Sequence, residues 1–217
     1  MAEKNETELK SELILDYLKK PFRREHLPRP FFIELTGSPS SGKSTIISEL
    51  DNYFRLLGFQ VYCPQEGAKA NRHISWNTPL FNLRTAMYAV QLLIDLSSGT
   101  NYDIVILDRG VFDAYCWMEY WHGKEKLTLA EKELFQQYFF SRFWMDKIDL
   151  AYFIISDPET AIKRETKNSL SKKEGDYTNL KTIGILVERY KKAFAILSSE
   201  YPQLKMMDTT ELNEQTM

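Results

Sequence analysis

Residues 37–44 read Gly37-Ser38-Pro39-Ser40-Ser41-Gly42-Lys43-Ser44, a run that fits the pattern GxxxxGK(S/T). It follows Phe31-Phe32-Ile33-Glu34-Leu35, a short aromatic and β-branched stretch that reads as a buried strand. A helix is expected from about Ser44 to Leu57, stopped by Gly58. A strand that passes through a glycine-rich turn straight into a helix is the framework of a phosphate-binding loop. Backbone N–H groups of the loop and of the helix N-terminus point at one spot, where an anion is favoured. Gly37 and Gly42 permit the turn and the close approach.

The rest of the chain repeats the alternation. Strands are expected at Phe59–Cys63, Ile104–Leu107 (ending on Asp108), Ala151–Ile155 and Leu204–Met207. Helices are expected at about 79–97, 111–121, 158–167 and 179–199, the last burying Ile183, Val187, Tyr190, Phe194 and Leu197. Thr128 with Glu131 is a capping box that opens a helix to about Asp146. Asp157-Pro158 supplies an N-cap and a proline at the first helical position. Residues 64–78 read as irregular. Most strands are continuously apolar, which requires cover on both faces. The expected fold is therefore an α/β three-layer sandwich of the P-loop NTPase kind: a five-stranded parallel sheet, helices on both faces, and a helical lid at about 163–178. Residues 1–30 form an extension before this domain, which spans 31–217. In the extension, Leu9, Leu13 and Tyr17 with Ile14 and Leu18 make one apolar helix face ended by Pro21, Pro28 and Pro30. That helix is expected to dock on the main domain.

Composition removes several classes of function. The formal charge of −2 provides no basic field for nucleic acid. Cys63 and Cys116 form no CxxC pair, so neither a zinc site nor a disulfide framework is expected. No apolar run is long enough to span a bilayer, and the N-terminus is charged from its third residue. The expectation is a cytoplasmic protein with no membrane and no nucleic-acid partner.

The chemistry expected of the loop follows from its side chains. Lys43 reaches β- and γ-phosphates, and Ser44 offers a hydroxyl to Mg²⁺; residues 37–44 with Thr45 form the ATP contact set. Such a site needs a carboxylate at the end of a neighbouring strand to hold the metal or its water, and Asp108 has that setting. The alternative reading of Asp108 is an N-cap for the helix that follows, a role compatible with holding the metal, which is the preferred one. Arg109, at the sheet edge where ligands bind in open α/β folds, could grip an acceptor or a transferring phosphoryl, or be a plain surface arginine. Lys163, Arg164, Lys167, Lys172 and Lys173 outnumber Glu165 and Glu174, giving a local positive cluster that suits phosphate charge or a solvated helix end. Arg164 is the preferred member, because guanidinium suits bidentate phosphate contact.

GTPases carry NKxD and DxxG motifs, and neither occurs here. Over about residues 31–213 the chain resembles the thymidylate kinase and deoxynucleoside kinase group of P-loop kinases. The resemblance rests on Phe32-Ile33-Glu34-Leu35-Thr36-Gly37 into the loop, Pro64-Gln65-Glu66, Ile106-Leu107-Asp108-Arg109-Gly110, Asp157-Pro158-Glu159-Thr160-Ala161-Ile162-Lys163-Arg164, and Met207-Asp208-Thr209-Thr210-Glu211-Leu212. It implies ATP-dependent phosphoryl transfer to a nucleoside or nucleotide, with homodimers as group members often form. Glu66 matches an acidic residue that acts on the acceptor hydroxyl, Asp108-Arg109 an acid–arginine pair, Arg164 a lid cation, and Thr209 and Thr210 a loop over the adenine. Arg84 is a looser match to an acceptor-binding arginine. The group usually has Gly where this chain has Ser40, Pro where it has Gly67, and, in deoxynucleoside kinases, Glu-Arg-Ser where it has Asp108-Arg109-Gly110.

A nucleoside hydroxyl must lose its proton during transfer, so Glu66 is the candidate general base; a monophosphate acceptor needs none. Glu66 also reads as a loop carboxylate paired with Arg109 or Arg72. Other expectations stay open: a P-loop kinase for another small molecule such as nicotinamide riboside or a sugar, or a regulatory NTPase that switches a protein partner. Aromatics at helical spacing more often form core than stack on a base, so of the many here only Trp76 and Tyr115, nearest the motifs, are worth testing, and neither is assigned to the site.

Overall fold

Strands that are apolar at successive positions must be buried on both faces, and β1 (Phe31–Gly37) is buried from its second residue onward. The computed structural model of the protein describes residues 29–71, 73–98, 101–168 and 179–212. The expected N-terminal helix, Arg72, the loop part of the expected lid and the tail 213–217 lie outside the described residues. β1 is the middle of an all-parallel sheet of order β2-β3-β1-β4-β5, where β2 is Val61–Tyr62, β3 is Ile104–Asp108, β4 is Leu150–Ile155 and β5 is Leu204–Asp208. The described helices are α1 (Lys43–Leu56), α2 (Gly67–Ala70), α3 (Pro79–Leu96), α4 (Val111–His122), α5 (Leu129–Phe139), α6 (Arg142–Met145), α7 (Pro158–Asn168) and α8 (Leu180–Leu197).

Alternation along the strands sorts the core into two layers. Phe32, Val105, Leu107, Ala151, Phe153 and Ile155 join the larger layer, with buried residues of α3, α4 and α8. Ile33, Leu35, Ile104, Ile106 and Ile154 join the smaller one, with Ile46 and Phe54 of α1. The register sets Leu35 opposite Asp108 and Gly37 opposite Ile154. The C-terminal ends of β1, β3 and β4 thus share one edge, where open α/β sheets bind their ligands.

Four expectations need correction. The helix opened at Thr128 does not run to Asp146: it stops at Phe139, and Ser141 caps a separate turn. Phe140, at the break, packs its ring against Phe112, Tyr115 and Tyr201, so tertiary packing overrides the local pattern. The capping box itself is present, with Glu131 N donating to Thr128 Oγ1 at 3.2 Å and Thr128 N to Glu131 Oε2 at 2.7 Å. The irregular stretch 64–78 contains the single turn α2, and β2 is shorter than Phe59–Cys63 because it is an edge strand that pairs only with β3. On α8, Phe194 is only partly buried, while Leu186 and Ala193 join the core. No described helix is long and apolar enough to cross a membrane, and Cys63 and Cys116 are both free thiols.

Phe112 opens α4 within the larger layer, fully buried and edge-on to Phe140, Phe153 and Tyr201. Phe112→Ala should cost about 3–5 kcal/mol of folding stability, read as a lowered midpoint in chemical denaturation at unchanged slope.

Candidate functional site

The loop leaves β1 under a tight constraint. Gly37 has φ 149°, and a Cβ there would lie 1.8 Å from Ile154 O. No other residue fits at that crossing of β1 and β4. Gly42, at φ 88°, turns the chain into α1. Ser40 also has a left-handed backbone, φ 54°. That conformation is why glycine is common at this position in similar loops, and here serine takes it at some cost in strain. Its hydroxyl donates to Glu165 of α7. Ser41 Oγ donates to Ser38 O at 2.9 Å, closing the loop on itself. Lys43 is 8% exposed, and its ammonium donates to Ser38 O at 2.8 Å and Gly37 O at 3.3 Å. Burial, then the nearby Arg109 charge, lowers its pKa to about 8. Ser44 is exposed on the first turn of α1, beside the half-buried Thr45.

The second part of the site hangs on a buried carboxylate in β1. Glu34 shares the larger-layer face of β1 with Phe32 and is fully buried. Its two oxygens accept Phe112 N at 3.2 Å and Asp113 N at 3.0 Å, so they fill the N-terminal turn of α4. Gly110 is required by this contact, since a Cβ there would come 2.4 Å from Glu34 Oε2. The departure from Glu-Arg-Ser at position 110 therefore has a local cause. Burial pushes the Glu34 carboxyl up to about 8 against those N–H donors.

Between β3 and α4 lie the acid–arginine pair. Asp108 Oδ1 is buried and accepts no hydrogen bond among the described residues. Burial, then Glu66, raises its pKa. Such an oxygen suits a cation. Among the described residues no group of three or more His, Cys, Asp and Glu could hold a metal. An ion at Asp108 would then take one or two protein oxygens, Asp108 and Ser44, and complete its shell with water and phosphate, as Mg²⁺ does. Arg109 sits at φ 66°, a left-handed backbone costing of order 1–3 kcal/mol. Its N–H holds Leu35 O at 2.9 Å. Its guanidinium meets Glu66 Oε1 at 3.2 Å and both oxygens of Asp113 at 3.1 and 3.2 Å. It is no plain surface arginine: burial opposes its charge, and Asp113, Tyr190, Glu66 and Asp108 outweigh that and raise its pKa.

A cavity of about 230 Å³ opens beside the loop, lined by Pro39, Glu66, Ala68, Trp76, Phe81, Asn82, Thr85, Arg109 and Trp117. Of the two aromatics nearest the motifs, Trp76 lines it. Tyr115 does not: its ring packs on Phe140, 5.3 Å between centroids. Arg84 is exposed on α3 and does not line the cavity. Asn82 is held by Trp121, whose indole N–H donates to Asn82 Oδ1 at 2.8 Å.

The remaining predicted residues lie over the loop. Arg164 is turned to the C-terminal segment, donating to Thr209 Oγ1 at 3.0 Å, Thr209 O at 2.6 Å and Leu212 O at 2.7 Å. Thr209, fully buried, has its hydroxyl 2.9 Å from Ser41 O and 3.1 Å from Ile155 O. Thr210 Oγ1 donates to Asp208 Oδ1 at 2.6 Å and accepts Asp157 N at 2.9 Å. These three side chains bind protein partners and fasten the 209–212 turn to the phosphate loop and to α7. Lys163 is exposed.

Sequence reasoning passed over Glu34, Thr36, Asp113, Tyr190, Phe81 and Asn82 as site residues. A charged residue inside an apolar strand, as at Glu34, is the one signal that could have been followed.

A family model described as an AAA domain matches residues 32–169, more than half of the chain. No curated protein matches. Among solved structures, deoxyadenosine kinase from M. mycoides with bound dCTP is similar at 16% identity and a TM-score of 0.63, covering 86% of this chain and 94% of that chain. The same enzyme with bound dATP gives 17% identity, a TM-score of 0.63 and the same coverages. Its complex with the products dCMP and a flexible dCDP gives 15%, with a TM-score of 0.63 and again 86% and 94% coverage. At such identities the likeness shows the fold: a P-loop kinase fold with a five-stranded parallel sheet.

Glu34 yields a pH test. Its folded pKa, about 8, lies above the ordinary value of 4.5, so the folded state holds the extra proton between those values. Stability from that proton is complete below the lower value and is lost as pH rises towards the upper one, with a slope of at most about 1.4 kcal/mol per pH unit. Glu34→Gln lacks this loss. Between pH 5 and pH 8 the variant should gain stability relative to wild type in paired denaturant titrations.

Proposed function

Because this chain belongs to the AAA domain family, we propose that its phosphate loop holds ATP with Mg²⁺ and that it passes the terminal phosphoryl group to a nucleoside or nucleotide in the adjoining cavity. The observation that carries this is the cavity itself. It shares Pro39 with the loop and has Glu66 and Arg109 in its wall. A regulatory NTPase has no use for an acceptor pocket with a carboxylate and a guanidinium beside its phosphates. The kinase fold supports the same reading.

Phosphoryl transfer asks mainly for positioning and charge neutralisation. Lys43 would leave the carbonyls of residues 37 and 38 for the β- and γ-phosphate oxygens. Mg²⁺, when bound, supplies charge at the same oxygens, and Asp108 and Ser44 would hold it. Arg109 would bind the group in transit. Glu66 would take the proton of an acceptor hydroxyl, its oxygen already fixed by Arg109 Nε. The aromatic wall of Trp76, Phe81 and Trp117 suits the flat, apolar faces of a base. Arg164, Thr209 and Thr210 would act on the nucleotide by holding the 209–212 turn in place. The reading includes a cytoplasmic location and the domain limits 1–30 and 31–217, which rest on the sequence pattern, and a homodimer, which rests on the resemblance alone.

Three outcomes test it. Purified protein with ATP and Mg²⁺ should phosphorylate at least one member of a panel of nucleosides and monophosphates, with products identified by mass. Lys43→Ala should abolish that transfer with thermal unfolding unchanged; full activity would sink the loop assignment. Glu66→Gln should slow a nucleoside acceptor by about 10²-fold or more and a monophosphate far less. A separate readout concerns Lys43: phosphate raises its lowered pKa, so nucleotide binding above pH 8 should take up a proton. Calorimetric heats there should then depend on the buffer's ionisation enthalpy, and near pH 6 the Lys43 uptake should vanish.

A further inference from the structure

Asp113 is 3% exposed, yet its carboxylate joins three elements. It accepts the Thr36 hydroxyl from the end of β1, the Tyr190 hydroxyl from α8 at 2.5 Å, and Arg109 Nη1 through both oxygens at 3.1 and 3.2 Å. On the other side, Arg109 Nε reaches Glu66 Oε1 at 3.2 Å. Two edges of the guanidinium are thereby taken. Its Nη2 makes no hydrogen bond to any described residue, and Arg109 lines the cavity.

We propose that Asp113, held by Tyr190, is the positioning residue that orients Arg109, leaving Nη2 for an anionic group at the cavity mouth and leaving Glu66 only one contact with the arginine. This rests on the kinase reading for its consequence, though not for its geometry. The physical case is one of competition. A guanidinium buried to this degree needs a carboxylate partner. Asp113 is that partner, and it lies on the α4 side of the guanidinium, opposite Glu66. With Asp113 replaced by asparagine, Glu66 is the carboxylate already in contact, and a two-pronged Arg109–Glu66 pair is the favoured geometry. Such a pair would withdraw both groups from the cavity at once. Tyr190 fixes Asp113 in turn; its ring stands edge-on to Phe153, 5.2 Å between centroids, which ties the carboxylate to the sheet.

A purely structural Asp113, tying α4 to β1 and α8, would lose stability on substitution and nothing else. Two variants separate the cases. Asp113→Asn keeps the volume and an acceptor oxygen for Thr36 and Tyr190; Tyr190→Phe keeps the ring and removes one hydroxyl. Guanidinium ¹⁵N NMR of arginine-labelled protein needs no acceptor. In wild type, the locked Arg109 should give separate Nη1 and Nη2 signals. They should merge in Asp113→Asn and broaden in Tyr190→Phe. In kinetics with whichever acceptor wild type uses, Asp113→Asn should lower kcat by about 10²-fold, as misplacement of a transfer group does, with KM for ATP unchanged. Tyr190→Phe should show a smaller loss of the same kind. Unmerged signals in both variants, or merged signals with full turnover, would overturn the proposal. Should wild type transfer phosphoryl to nothing, the kinase reading fails, and the NMR arm still decides whether Asp113 holds Arg109.

Discussion

The contact on which the site depends is the one between Glu34 and the first turn of α4. A carboxyl group in the middle of a sheet is costly to bury, and it is tolerated here because it holds its proton to about pH 8 and two backbone N–H groups at a helix N-terminus meet its oxygens. The consequence is geometric. β1 ends in Gly37, which starts the phosphate loop, and the same strand anchors the helix that follows Asp108-Arg109-Gly110. The two parts of the site are therefore set by one seven-residue strand. Thr36 repeats the device one step nearer the edge by donating to Asp113. A shift of β1 would move the loop and the acid–arginine pair together.

Charge explains why these parts belong to one another. Lys43 and Arg109 are surrounded by Glu66, Asp108 and Asp113, all partly or fully buried. Lys69 reaches Glu66 at 3.9 Å, so three cations stand against three carboxylates and the site has no positive excess to set against a phosphate chain. A divalent ion at the unpaired Asp108 oxygen would supply that excess, so the donor set and the expected cation are consistent with each other. The perturbed groups agree: burial makes Lys43 easier to deprotonate and Asp108 easier to protonate than in water, and a phosphate-bound cation would relieve both.

Much of the fold was legible because it is written locally. The phosphate loop, the alternation of strands and helices, Asp108 at the end of β3, the Asp157 cap and the Thr128 capping box are each contained in a few adjacent residues. What escaped was set by packing. The helix expected to reach Asp146 breaks where Phe140 turns into an aromatic cluster built from α4 and Tyr201. Arg164 looked like a lid cation from its neighbours in the chain, but its guanidinium holds the turn at Thr209 and Leu212, 45 and 48 residues away. Ser40 looked like a simple departure from pattern; only the backbone shows that it occupies a glycine conformation.

The same reasoning separates the two sides of the site. A donor site of this kind is made largely of backbone, so its requirement appears as fixed spacing between two glycines, a lysine and a serine. An acceptor site is made of side chains from several elements, and spacing between them carries no signal. Here the cavity draws on the loop, α2 and the residue before it, α3, the segment between α2 and α3, the turn before α4 and the middle of α4. Its polar groups are also prepared by residues outside it: Trp121 holds the oxygen of Asn82, Asp113 holds Arg109, and Tyr190 holds Asp113. Each supporting residue sits at an apolar or helical position where sequence alone predicts core. The polar wall of this cavity is thus set by residues one and two contacts behind it, where the sequence pattern records only that something is buried.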